Sequence, residues 1–301
     1  MSNRYLVTTD GTHDGHFGPT EWAMLSFNAV VWGSSFLLIA ISIESLAPGF
    51  VAWARLVISG GVLALIPAAR KRIDREDWRP LAVIAVVGNA GPALFFAYAE
   101  QTVPSSIAGM LTSGVPILTA VIAFSLGIRS MGAKHIVGLV GGFLGVALIG
   151  IPSLTGERPA VLGIVLILLA VLGYATVGNL HVPLAQKYGG LAITMWAASG
   201  GAVLLIPFGG WEIGANEWEL RSVLALAALG VLSTGVGRVV QANLSGRVGG
   251  PRASVIGYLL PTVALIVGVA FNDETVGLME IGGLALVLVS AYLVSRSTRT
   301  A

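Results

Sequence analysis

Two short stripes of polar residues stand out in a chain that is otherwise apolar. Asn28, Trp32 and Ser35 fall at i, i+4 and i+7, and Thr234, Arg238 and Gln241 repeat that spacing. On a helix this spacing puts each trio on one face. Both trios lie inside long apolar stretches, where a polar side chain is costly unless it faces protein or water. Such a stripe either lines an aqueous cavity or ties two helices together by hydrogen bonds; two whole stripes favour the cavity. Arg238 carries the sharpest chemistry. Its guanidinium presents five donors in a fork that matches a carboxylate or phosphate. It is expected to attract the carboxylate of an anionic or zwitterionic substrate, and the competing reading is a long side chain snorkelling to the nearer interface.

Further candidates for the same cavity are Asn89, Tyr98, Thr112, Tyr258, and Tyr174 with His181 on its side of the helix. Trp32, Tyr174, Tyr258 and Trp196 are candidates for packing around an apolar part of the substrate, against the alternative of ordinary bundle packing. Pro92, Pro116 and Pro261 fall inside apolar stretches, where each removes a backbone hydrogen bond and bends its helix. Such bends shape a cavity or act as hinges. Gly138, Gly141, Gly142 and Gly145 form overlapping Gly-x-x-x-Gly pairs that imply close contact with another helix, of the same chain or of a second copy.

The elements that position these residues follow from composition. Hydrophobic residues make up 55% of the 301 and charged residues 11%, whereas a soluble domain carries about 25% charged residues. A helix needs roughly 20 apolar residues to cross the hydrocarbon core. Ten stretches approach that length, at about 22–43, 49–68, 81–99, 105–127, 132–151, 160–180, 191–208, 222–244, 253–271 and 275–295. The expectation is an all-α membrane protein of ten transmembrane helices. Residues 1–21 form an N-terminal tail, and 297–301 close the chain. The tail lacks the basic start of a signal peptide. His13-Asp14-Gly15-His16 within it has metal-binding residue types, but a disordered tail is the favoured reading, and no metal or cofactor is expected.

Charge gives the orientation. Arg70, Lys71, Arg72, Arg75 and Arg79 crowd the linker after the second stretch. Arg129, Lys134, Lys187, Arg247, Arg252, Arg296 and Arg299 follow the even-numbered ones. The other linkers are acidic, with Glu44, Glu100, Glu157, Glu212, Glu217, Glu219, Asp273 and Glu274, and hold only Arg158 and Arg221. Positive linkers stay cytoplasmic, so both termini are expected inside. Trp22 and Trp78 then mark the inner boundary, and Trp211 and Trp218 the outer one. The net charge of +2 reflects this orientation and implies no nucleic-acid partner.

The second half echoes the first. Residues 59–67 match 199–207 at six of nine positions, offset by 140. At an offset of 145, Ala108 and Pro116 fall on Ala253 and Pro261, and Ile136, Gly138 and Leu139 fall on Ile281, Gly283 and Leu284. A duplicated five-helix unit inserts its second copy upside down, because five is odd. Residues 22–152 and 160–296 would thus be inverted-topology repeats, a recurrent design of secondary transporters.

Five-plus-five spans, cytoplasmic termini, a basic linker after the second span, the Ala…Pro pairs and the Gly-rich fifth and tenth spans together resemble the drug/metabolite transporter superfamily, in its EamA-type ten-helix branch. The resemblance covers roughly 22–296. It implies export of small metabolites by alternating access, and within the family the chain is most similar to bacterial amino-acid and metabolite exporters, including the aromatic amino acid group. It also places the second span at the cavity's edge, which makes Arg55 structural, paired with a backbone carbonyl or a loop acid. One feature departs from the pattern: the acid expected after spans four and nine is present in Asp273-Glu274 but absent from Gly127-Ile128-Arg129.

Other classes fit poorly. There is no cysteine, so thiol chemistry and disulfides are absent. None of the three lysines sits in a phosphate-binding loop, so direct use of ATP is not expected. No aspartate lies within a span, and His135 and His181 lie near span ends, so an intramembrane enzyme lacks its residues. The expectation is an inner-membrane exporter of small metabolites, amino acids foremost, with a drug or other metabolite exporter, or a non-transporting membrane scaffold, as alternatives. A monomer is expected, a dimer being the other option.

Overall fold

The computed structural model describes residue 12 and residues 17–125, 133–154 and 160–296. His13 to His16, Arg129, Glu157, Arg158 and Arg299 lie outside the described residues. In hydrocarbon, a helix satisfies its own backbone donors and acceptors, and no strand occurs among the described residues. In chain order the helices are α1 (Pro19–Ile43), α2 (Pro48–Ala64), α3 (Arg75–Ala99), α4 (Ser105–Thr119), α5 (Ala133–Leu154), α6 (Val161–Val177), α7 (His181–Tyr188), α8 (Gly190–Leu204), α9 (Ile206–Ala215), α10 (Leu220–Val248), α11 (Ile256–Phe271) and α12 (Leu278–Arg296). By length and composition α1, α3 and α10 can each cross a membrane. The pairs α6–α7 and α8–α9 reach that length as broken spans, bent by 56° and 57°. The second bend falls just before Pro207, which lies in the first turn of α9 and cannot donate to the preceding turn. The apolar helices α2, α4 and α11, and the stretches Ile136–Pro152 and Leu278–Ser290, are shorter.

Small residues set how the helices pair. In α5, Gly141 faces Ser290 and Gly145 faces Val287 and Gly283 of α12; a β-carbon on Gly145 would lie 2.7 Å from the Gly283 carbonyl oxygen. The Gly-x-x-x-Gly surface is therefore used inside the chain. Gly60 of α2 meets Ser199 of α8, and Gly201 meets Leu56. Gly109 of α4 meets Ala264 of α11, and Gly257 meets Pro116. In all three pairs the later residue of one helix meets the earlier residue of the other, so the partners run antiparallel.

Two helices widen locally. α3 contains a π-helical stretch at Ile84–Ala90, and α10 contains one at Leu229–Gly237. A π stretch adds a residue per turn, and such stretches are frequent at functional sites. After the first stretch the α-helix resumes at Gly91, with Pro92 in its first turn. Pro116 stands two residues after a 3₁₀ turn at Thr112–Gly114, and Pro261 lies within α11.

The two ends of the bundle are tied by different contacts. At the basic end, Lys187 pairs with Asp74 and Asp77 at 2.7 and 2.6 Å, Tyr188 donates to Asp77, and Arg247 pairs with buried Glu21 at 2.6 Å. The hydrogen bonds and charge of Lys187 hold the Asp74 carboxyl below its usual range. At the acidic end, carboxylates cap helix starts, where unpaired N–H groups and the helix dipole favour negative charge. Glu274 accepts from Ser105 N and Ser106 N, at 2.9 and 2.8 Å, and from the Ser105 hydroxyl. Glu212 accepts from Gly49 N at 2.7 Å, and Asn216 accepts from Ala47 N. Arg221 bridges to Glu44.

Candidate substrate cavity

The bundle encloses a cavity with about 140 Å³ open to water-molecule centres. Its deep end lies against Ile39, Arg55 and Phe96, and it extends to Ser245, Gly250 and Ser254 around the α10–α11 turn, at the basic end. Toward the acidic end it is closed by packing. Phe36 meets Phe96 edge-on at 5.3 Å, Phe96 stacks on Tyr174 at 6.2 Å, and buried Leu46, Phe50, Val103 and Ile107 belong to the same core.

The α1 and α10 stripes meet here. Trp32, Ser35, Arg238 and Gln241 line the cavity. Asn28, fully buried, stands behind the wall and donates to Gln241 at 3.4 Å. Gln241 in turn donates to the Ala253 carbonyl. The Trp32 indole N–H donates to the Ser233 carbonyl at 3.1 Å, and Ser233 lies in the π-helical stretch of α10. The local widening thus gives the cavity wall a fixed indole. Arg238 places its guanidinium 5.6 Å from the centre of the Tyr174 ring. Among the described residues it forms no hydrogen bond or ion pair.

Thr234 holds a second guanidinium. Its hydroxyl accepts from Arg55 Nε at 2.9 Å. Arg55 lines the cavity although only 6% exposed, so its expected place at the edge, held by a carbonyl or a loop acid, is corrected. A lone arginine in an apolar stretch gives no sign of a threonine 179 residues away.

Four other candidates are also relocated. Asn89 is buried and its side-chain amide donates back to the Ile84 carbonyl of its own π-helical stretch at 3.0 Å. Tyr98 donates to Glu212 at the acidic end. Tyr258 is half-buried against the main core. Trp196 donates to the Lys71 carbonyl and packs edge-on against Trp78. None of the four is on the cavity wall. Tyr174, Thr112 and His181 are.

A helical bundle with apolar outer faces and a largely apolar cavity that carries two guanidiniums has the anatomy of a membrane transporter. Comparison with known proteins makes this definite: the sequence pattern of the EamA-like transporter family matches residues 21–151 and again 161–296. The chain belongs to that family. An uncharacterized inner membrane transporter, YedA of Escherichia coli (strain K12), is 26% identical over 88% of this chain and 87% of its own. A probable terminal-alkyne amino-acid exporter of Streptantibioticus cattleyicolor is 26% identical over 92% of this chain and 93% of its own. A solved crystal structure shares the fold with a TM-score of 0.65, at 16% identity, over 94% of this chain and 99% of that one.

Proposed function

We propose that this protein is a secondary transporter that exports small metabolites, amino acids and their derivatives foremost, across the bacterial inner membrane by alternating access. One observation carries the reading. Trp32 and Val177, Phe36 and His181, Phe96 and Gln241, Thr112 and Gly257, and Val115 and Leu260 are pairs offset by 145, and both members of every pair line the cavity. The same offset relates Ala108 and Pro116 to Ala253 and Pro261, and Ile136, Gly138 and Leu139 to Ile281, Gly283 and Leu284, in sequence. A cavity walled by equivalent positions of both halves lies on the axis between them. The antiparallel pairing of α5 with α12, α2 with α8 and α4 with α11 supports ten spans arranged as two inverted copies, and the double match to one family pattern supports the duplication. Two such copies exchange conformations at little net change in energy, moving the opening from one end to the other. The positive-inside bias puts the basic end, and both chain ends, in the cytoplasm. The cavity therefore reaches the side from which an exporter loads.

The amino-acid class follows the exporter named among the relatives and the guanidiniums in the wall, which suit a carboxylate. Release of labelled amino acids and amino-acid-derived acids from loaded proteoliposomes tests the reading. Release above that from protein-free vesicles is expected for part of the panel. Release equal to protein-free vesicles across the whole panel would instead favour a non-transporting membrane subunit.

A further inference from the structure

We infer that the cavity selects organic anions of amino-acid size that bear a carboxylate or phosphate and no free ammonium group. This rests on the carrier reading above and, within its class of amino acids and derivatives, favours the derivatives over the free amino acids. Among the described residues, the wall carries two guanidiniums, Arg55 and Arg238, together with His181, and no aspartate or glutamate. The nearby acids are engaged elsewhere. Glu21 holds Arg247, Glu212 holds Gly49 N and Tyr98, and Glu274 caps α4. Glu100 is buried off the wall, with no donor to either oxygen. Its field reaches Arg55. Set against Arg55, Glu100 still leaves Arg238 without an opposing charge.

The two guanidiniums are placed together. Arg55 is anchored through Nε on Thr234, one helical turn before Arg238, and its other guanidinium nitrogens form no hydrogen bond among the described residues. A buried cation with open donors is costly until an anion meets it. An ammonium group has the opposite fate. It finds no carboxylate on the wall, and Arg238 already covers the Tyr174 ring, which would otherwise attract a cation. Trp32, Phe36, Phe96 and Leu260 leave room beside the charge for an apolar body. The deaminated or N-blocked relatives of amino acids have this form.

Three molecules of one skeleton separate the possibilities: 3-phenylpropanoate, phenylalanine and 2-phenylethylamine. Calorimetric titration into the purified full chain at neutral pH is expected to give the anion at least about tenfold tighter binding than the zwitterion, whose ammonium group would be buried beside two guanidiniums without a partner. The amine is expected to bind weakest. Arg238→Gln should remove the preference for the anion and Arg238→Lys should restore part of it, with an unchanged melting temperature showing that both variants fold. Equal binding of anion and zwitterion, a preference for the amine, an unaltered preference in Arg238→Gln, or no binding of any of the three would overturn the inference. Counterflow in vesicles tests the carrier reading separately. Anion-selective binding without counterflow would sustain the charge selection and sink the carrier. Counterflow of zwitterions with no preference for the anion would do the reverse.

Discussion

Asn89 and Thr234 occupy the same register 145 residues apart, each inside a π-helical stretch, yet they face different tasks. Asn89 turns back to the Ile84 carbonyl of its own helix. Thr234 reaches out to fix Arg55. The next turns diverge further. Arg238 and Gln241 of α10 line the cavity, where α3 offers buried Ala93 and the ring of Phe96. The two halves keep one backbone design and divide the labour: α10 supplies polar chemistry and α3 an apolar wall. Duplication fixes geometry more tightly than side-chain chemistry, because packing depends on every turn while recognition depends on a few groups.

Substitutions at equivalent positions put that division to the test. Arg238→Ala should lower transport of carboxylate substrates about 10- to 100-fold, the loss expected for a charge-assisted contact, read as initial rates in vesicles at equal protein content. A matching loss in Asn89→Ala would break the comparison. Thr234→Val releases Arg55 and is expected to cost transport about fivefold, near 1 kcal/mol. Asn89→Leu should keep near-normal transport while lowering thermal stability by a similar amount, measured as the melting temperature of both variants.

The acidic end provides a pH signature. Burial works to raise the Glu274 carboxyl, but hydrogen bonds from Ser105, Ser106 and Asn272 outweigh it and hold the group below its usual range. A carboxylate depressed in the folded state adds stability that is fully present above its unfolded value and is lost as pH falls through the lowered one. The melting temperature should therefore drop across the acid range, and Glu274→Gln should flatten that part of the profile. The smallest effect separates two adjacent glycines of α2. Gly60→Ala presses on Ser199 and should destabilise, whereas Gly61→Ala meets open space and should be neutral or slightly stabilising, again read by melting temperature.

Helical periodicity makes much of this legible. The Asn28, Trp32, Ser35 stripe and its partner in α10 can be found because one face of a helix repeats at fixed spacing. Their polarity in an apolar setting points to a cavity. The bends after Val177 and Leu204 fall beside Gly178-Asn179 and Pro207, but such residues do not by themselves mark a break, since Pro261 lies inside the unbroken α11. Asn89 is a candidate only as a polar residue in an apolar run, and its partner, the Ile84 carbonyl of its own π-helical stretch, belongs to a backbone geometry that the run does not reveal. Tyr98 and Arg55 depend on Glu212 and Thr234, partners far along the chain that no local pattern reveals.

The central claim is that access passes from the basic end to the acidic end. The chain has no native cysteine, so a single engineered pair can be read cleanly. Ser105→Cys with Glu274→Cys replaces a contact of 2.6 Å at the closed acidic end, and a short thiol cross-linker can span it. Transport should proceed in the reduced double variant, stop when the pair is bridged and return when the bridge is cleaved. Undiminished transport by fully bridged protein would contradict the account.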